Sequence, residues 1–528
     1  MRFAKTRRAV EICSAIILAF CFATIAGAQS ASSAVAKDPS SQEKRAALNL
    51  QTARKNPLAL RHFLLGMPKG GDLHNHLAGA VYAESWIRAA AEEHLCTDLR
   101  DHSFSQPASG DAAHPACKDG KVPADEALKN QELYDALVDA FSMRGFVPST
   151  GVTGHDHFFS TFGKFYGAYS KHLGEWVDEV AARAAAQNEQ YLELMHTPSY
   201  ERTTAIAREV GWHDDLSLMR AQLLKPGFKK DISDARFELD QAGAVRNKHE
   251  HCGQPDATAA CQVEVRYLCQ VLRGFPKEIV FAQTLSCFEL ASVDSRYVGI
   301  NFVMPEDAYT PMTDYDVQMR IVGFLHSIYP NIHISLHAGE LAPGLVPYEG
   351  LCCHIRQAVE EAHAERIGHG VDVMYEDRPH ELLREMVAKH VMVEINLTSD
   401  DVILGVTGNE HPLSIYRQFH VPVALATDDE GVSRIDLTRE YVRAVQTYDL
   451  TYADLKLMVR TSMEHAFLTG AGLWANPDDF TQPASACAHD SAGTEHPSSH
   501  CGDFLQSNER ARAQWELERR FTVFESSL

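Results

Sequence analysis

Gly71-Asp72-Leu73-His74-Asn75-His76-Leu77 sets two imidazoles two residues apart in a stretch with the length of a strand. Side chains at i and i+2 of a strand point to the same side, so His74 and His76 can reach one ion. An isolated His-x-His pair also arises by chance on a half-exposed strand, so the weight rests on the segments further along the chain. Six further apolar runs, 190–195, 298–303, 332–337, 366–368, 391–396 and 422–427, read as strands. Amphipathic stretches lie between them, among them 315–327, 350–363, 379–389 and 413–419. The alternation predicts a parallel sheet with helices outside, as a closed barrel or an open doubly wound sheet. No Gly-rich fingerprint follows the first strand, which weighs against the open dinucleotide-binding form.

The chemistry sits where these strands end, which in a parallel barrel is where active sites lie. Ile334-Ser335-Leu336-His337-Ala338-Gly339-Glu340 delivers a histidine and, three residues on, a carboxylate. In Arg366-Ile367-Gly368-His369-Gly370 glycines flank a histidine, as where a backbone turns tightly or meets a ligand closely. Val423-Ala424-Leu425-Ala426-Thr427-Asp428-Asp429 ends in twin carboxylates, which taken alone would suit a turn or a helix N-cap. Together, three imidazoles and a carboxylate match the ligand preference of zinc and leave room for a water. Zinc lowers the pKa of a bound water to roughly 7. His74, His76, His337 and Asp428 are thus the expected ligands of one zinc per chain, and Glu340, His369 and Asp429 the proton-handling groups.

The motifs Met67-Pro68-Lys69-Gly70-Gly71-Asp72-Leu73-His74-Asn75-His76-Leu77, His337-Ala338-Gly339-Glu340, Gly368-His369-Gly370 and Thr427-Asp428-Asp429 resemble, in order, those of adenosine deaminases. The Met-Pro-Lys-Gly entry, the N-terminal extension and the cysteines make the chain more similar to the secreted, growth-factor-type branch than to cytosolic enzymes. The resemblance implies a (β/α)8 barrel of the TIM type and hydrolytic removal of the 6-amino group of adenosine or 2'-deoxyadenosine. It also implies that Glu340 protonates N1, that His369 orients and deprotonates the water, and that Asp429 assists. Breaking the ring's aromaticity requires that proton on N1, so Glu340 has to be protonated when substrate binds.

Departures from the family pattern concern the substrate. Ala78 stands where an Asp would contact the ribose 5'-hydroxyl, Met304 where a Gly amide would contact purine N3, and Pro305 has no amide hydrogen to give. The Thr-Ser-Asn segment is Thr398-Ser399-Asp400, and Glu430 replaces a Pro. Another aminopurine or a modified adenosine is therefore the alternative substrate, and a catalytically weak binding protein of the same fold the rival of another class. Phe158, Phe159, Phe162 and Phe165 are candidates for an aromatic wall, with Phe162, Phe165 and Met304 taken as substrate contacts. A Phe run at helical spacing more often serves a core.

With 528 residues, 45% hydrophobic and 23% charged, the chain suits one large decorated domain. A net charge of -22 argues against nucleic acid, whose binding needs a Lys/Arg excess, and favours a small-molecule partner. Arg2, Lys5, Arg7 and Arg8, the apolar stretch from Ile12 to Ile25 and Ala26-Gly27-Ala28 read as a signal peptide over 1–28, with a secreted or periplasmic product and no membrane attachment after cleavage. Of the twelve cysteines, ten lie beyond that segment. Bracketing of polar loops suggests Cys96 with Cys117, Cys252 with Cys261 and Cys487 with Cys501, and a structural or disulfide role for Cys352 and Cys353. The expected organisation is a flexible and helical extension over 29–66, a barrel over 67–475 with an insert around 97–129, a Cys-bracketed insert over 476–501 and a C-terminal helix over 502–528. The helical segment before Met67 is also a candidate element for a homodimer.

Overall fold

Eight strands pair in parallel in the order of the chain: β1 (Gly70–His76), β2 (Glu189–His196), β3 (Glu264–Leu272), β4 (Tyr297–Val303), β5 (His333–Ala338), β6 (Arg366–His369), β7 (Met392–Ile395) and β8 (Val423–Leu425). The computed structural model describes residues 40–111, 114–149, 151–169 and 171–528. The signal peptide read at 1–28 lies outside the described residues.

The strands form a nearly closed barrel with helices around it. The seam between first and last strand is joined by a bridge between Asn75 and Asp428. There the His76 N–H donates to the Asp428 carbonyl at 2.8 Å and the Asp428 N–H to the His74 carbonyl at 2.9 Å. The closing backbone bonds are thus made by three of the four residues read as metal ligands. β3 is not among the strands expected from apolar runs, because Glu264, Arg266 and Gln270 interrupt it. Its alternation with Val265, Tyr267, Cys269 and Val271 is itself the mark of a half-buried strand.

The barrel interior is partly ionic. Arg366, without exposed surface, crosses it to Glu193 at 2.6 Å and Glu394 at 2.7 Å. A buried guanidinium is tolerated where its charge is met, as it is by these carboxylates on β2 and β7, and its Nη1 donates to the His465 carbonyl at 2.9 Å.

Among the described residues two helices precede the barrel, α1 (Ser41–Ala53) and α2 (Pro57–Gly66). Asn56 caps α2 by accepting the N–H groups of Leu58 and Ala59, and Pro57 fills the first helical position, where no donor is needed. Outside the barrel, α3 (Gly154–Phe165) starts on a capping box between Thr153 and Asp156, and α4 (Leu397–Leu404) follows β7. Where one C-terminal helix is expected over 502–528, Asn508 separates α5 (Ser499–Ser507) from α6 (Glu509–Ser527). The α6 helix packs on the N-terminal pair, with the rings of Phe63 and Phe524 edge to face at 5.3 Å. The insert after residue 96 folds into short antiparallel strands. The expected bridges Cys96–Cys117, Cys252–Cys261 and Cys487–Cys501 are present, and Cys269–Cys287 and Cys352–Cys353 add two more. Among the described residues no helix is long and apolar enough to cross a membrane.

Candidate active site

At the C-terminal ends of β1, β5 and β8 four donor atoms converge. His337 Nε2 lies 3.1 Å from His74 Nε2 and 3.2 Å from His76 Nε2. Asp428 Oδ1 is 3.1 Å from His76 Nε2 and 3.4 Å from His74 Nε2. These four separations match the edge of a tetrahedron whose centre is about 2 Å from each corner, the bond length of a first-row divalent ion to N and O donors. The donor set therefore fits one metal ion.

Neighbouring side chains aim these ligands, and no sequence motif marks them. His74 Nδ1 is 2.6 Å from Glu394, which also meets Arg366, and His337 Nδ1 is 2.7 Å from Asn301 Oδ1. Each partner is an acceptor, so the Nδ1 proton is held there and the Nε2 lone pair is left for the metal. His76 Nδ1 meets the Gln270 amide at 2.5 Å, and Ser399 donates to Asp428 Oδ2 at 2.6 Å. The legible signal was a lone polar residue inside an otherwise apolar strand, as Glu394 is in β7. Gln270 lay hidden because β3 did.

Backbone detail makes the room. A Cβ on Gly368 would stand 2.5 Å from His74 Cε1, and one on Gly79 would overlap the carboxylate of Asp429. Only glycine lets His74 and Asp429 sit where they do. His369 and Asp428 hold φ values of +67° and +62°, a region that few non-glycine residues occupy and that recurs at functional sites.

Glu340, His369 and Asp428 also bring their polar atoms within 4.8 Å of one another. Burial raises the pKa of Glu340 to about 7, so the carboxyl is about half protonated at neutrality and increasingly so below it. His369 Nε2 stands 3.8 Å from Glu340, and its Nδ1 is 2.9 Å from Asp400, whose other oxygen meets His411 at 2.9 Å. Burial disfavours the imidazolium of His369, yet Glu340 and Asp400 prevail and raise its pKa to about 10. A divalent charge at the adjacent donors opposes that rise by repulsion. Asp429 is pushed up by burial and by the charge of Asp428, and its Oδ1 is buried without a partner.

His76, His337, Glu340, Asp428 and Asp429 form the floor of a cavity of about 350 Å³, and His74 and His369, without exposed surface, lie behind them. Its wall includes Phe158, Phe159, Phe162, Tyr166, Met304 and Ala78. Phe165 is not part of it: with no exposed surface, it stacks on Trp86 at 4.8 Å. On one helical turn Phe162 thus faces the cavity and Phe165 the core, because α3 is wedged between the two. Met304 has φ +91°, as a site otherwise suited to glycine would.

The adenosine deaminase profile matches residues 172–472. Adenosine deaminases from two strains of Clostridium perfringens are 29% identical over 200 residues and 32% identical over 192. Each alignment covers 35% of this chain and 54% of the relative, so the chain spans about half the length of the curated relatives it matches. Arabidopsis ADAL complexed with GMP shares the fold, with a TM-score of 0.50 at 17% identity over 77% of this chain and 94% of that one. With a profile match running over more than half of its length, from the helix before β2 to beyond β8, the chain belongs to the adenosine deaminase family.

Proposed function

We propose that the protein is a zinc-dependent deaminase that converts adenosine or 2'-deoxyadenosine, with water, to inosine or 2'-deoxyinosine and ammonia. The observation that carries this reading is that Glu340, with a pKa of about 7, and His369 gather about Asp428 of a four-donor metal site, while Glu340, Asp428 and Asp429 line the floor of one cavity. A zinc ion held by His74, His76, His337 and Asp428 supplies Lewis acidity and lowers the pKa of water there. Glu340 gives its proton to N1 of the ring as C6 becomes tetrahedral, so that negative charge does not accumulate on the purine. His369, oriented by Asp400, takes the proton of the attacking water, and Asp429 orients that water through its free oxygen. Return of a proton to the 6-amino group lets ammonia leave and restores the ring.

Among the described residues no Lys or Arg lines the cavity, which favours an uncharged nucleoside over a nucleotide. A second reading, deamination of another aminopurine or a modified adenosine, is favoured by Ala78 and Met304 in the wall. Loss of adenosine absorbance with release of ammonia from zinc-loaded protein tests the first reading, and its absence refutes it. Adenine, N6-substituted adenosines and nucleotides in the same assay test the second. We also propose export to the periplasm or exterior after cleavage at Ala28. N-terminal sequencing of the protein from the culture fractions decides this, and retention in the cytoplasm with Met1 intact refutes it.

A further inference from the structure

Behind the turn that delivers Glu340 sits a carboxylate that no step above uses. Glu306, on the loop after β4, is 1% exposed. Its Oε1 accepts the N–H of Gly339 at 3.1 Å and its Oε2 that of Glu340 at 2.9 Å. His354 Nδ1 lies 2.5 Å from Oε1, and Arg273 Nη2 lies 3.5 Å from Oε2. Arg273, itself without exposed surface, donates Nη1 to the carbonyl of His337 at 3.1 Å and Nε to that of Met304 at 3.3 Å. The His354 ring lies flat against Tyr315, centroids 3.6 Å apart and planes at 3°, and the Tyr315 hydroxyl donates to the His354 carbonyl at 3.0 Å.

A buried carboxylate is costly unless charge and hydrogen bonds meet it on every side. Glu306 is met in this way: burial works against its charge, but Arg273 and His354 hold its pKa at about 2. The bonds it makes go to the N–H groups of Gly339 and Glu340, on the turn from the metal ligand His337 to the acid Glu340, across a glycine at φ +76°. Without them that turn has no other side-chain anchor for its amides. A misplacement of the acid by about 1 Å is enough to cost roughly 100-fold in rate.

We propose that Glu306, backed by Arg273 and His354, is a positioning residue that sets Glu340 at the height of the ring nitrogen it protonates. The proposal rests on the deaminase reading above. In E306Q the amide keeps one acceptor, but its NH2 meets an N–H donor, so one of the two turn bonds is lost while volume is conserved.

The test compares zinc-loaded wild type, E306Q and H354Q for kcat and KM with adenosine, for zinc content, and for the affinity of 1-deazaadenosine. That ligand has carbon in place of N1 and so cannot report on protonation by Glu340. E306Q is expected to lower kcat about 10- to 100-fold while zinc content and 1-deazaadenosine affinity stay within about 2-fold; H354Q shows a smaller drop of the same kind. Unchanged kcat in both variants overturns the proposal, as does a loss of zinc or of 1-deazaadenosine binding in proportion to kcat, which marks a merely structural role. If E306Q does not fold, H354Q decides on the same criteria. A wild type inactive on every aminopurine overturns the deaminase reading and this proposal with it, whereas an active wild type with unaffected variants overturns this proposal alone.

Discussion

The floor and the wall of the cavity are built by different rules. The floor consists of side chains at and just beyond the ends of β1, β5 and β8, with His74 and His369 behind them, and His74, His337 and His369 are each fixed by a buried polar partner. The wall comes largely from α3, a helix outside the barrel held by packing and by hydrogen bonds to neighbouring segments, such as His155 Nε2 with Asp307 at 3.0 Å and Lys164 with the Ala140 carbonyl at 3.3 Å. Its entry depends on the close approach of Gly154 to α4, since a Cβ there would lie 2.0 Å from the Val402 carbonyl. Strand ends repeat their geometry in every barrel of this kind, so chemistry placed on them tolerates little change. A packed helix can present different side chains without disturbing the floor, and recognition can vary there.

The largest test of this contrast is Glu340→Gln, expected to lower kcat about 10²–10⁴-fold while zinc content stays that of wild type. Equal activity would remove the acid from the floor. Next, chelation should abolish turnover and lower the midpoint of thermal unfolding, since a ligand bound only by the folded state stabilises it. Calorimetry with and without added zinc measures both the loss and its reversal.

On the wall side, the two phenylalanines separate packing from recognition. Phe165→Ala empties a fully buried site against Trp86 and should destabilise the fold by about 3–5 kcal/mol in denaturant titrations, with KM for adenosine nearly unchanged. Phe162→Ala should do the reverse, raising KM a few-fold with little change in stability. If Phe165→Ala raised KM more than Phe162→Ala did, the division of the helix would be wrong. The smallest effect to resolve is in pH. Glu340 must be protonated to act and its pKa is about 7, so kcat/KM should fall as pH rises through that value and hold below it, down to the pH at which His369 no longer accepts a proton. A flat profile from pH 6 to 9 would exclude a titrating acid on the floor.

The seam of the barrel adds a device absent from the motifs. Glu430, where a Pro is expected, accepts a hydrogen bond from Asn75 at 3.1 Å and pairs with Arg183, whose Nη2 also donates to the Ala80 carbonyl at 2.6 Å. The departure from the pattern is therefore compensated by a cation from the helix that precedes β2.

The seven residues of the metal and proton-handling groups were legible because their spacing is a property of single strands and turns. His74 and His76 share a side by the period of a strand, and His337 and Glu340 bracket one glycine turn. Their partners were not, since Asn301, Gln270, Glu394 and Asp400 become partners only when β4, β3, β7 and α4 are arranged about the axis. The same holds for Glu306, which reaches the acid across 34 residues of chain. By itself the sequence determined which donor atoms stand at the strand ends and in which order the strands bear them, because local periodicity dictates both. Only the tertiary structure decided which acceptors face His74 and His337, which phenylalanine faces the cavity and which carboxylate bonds the turn before Glu340, because these depend on contacts between segments far apart in the chain.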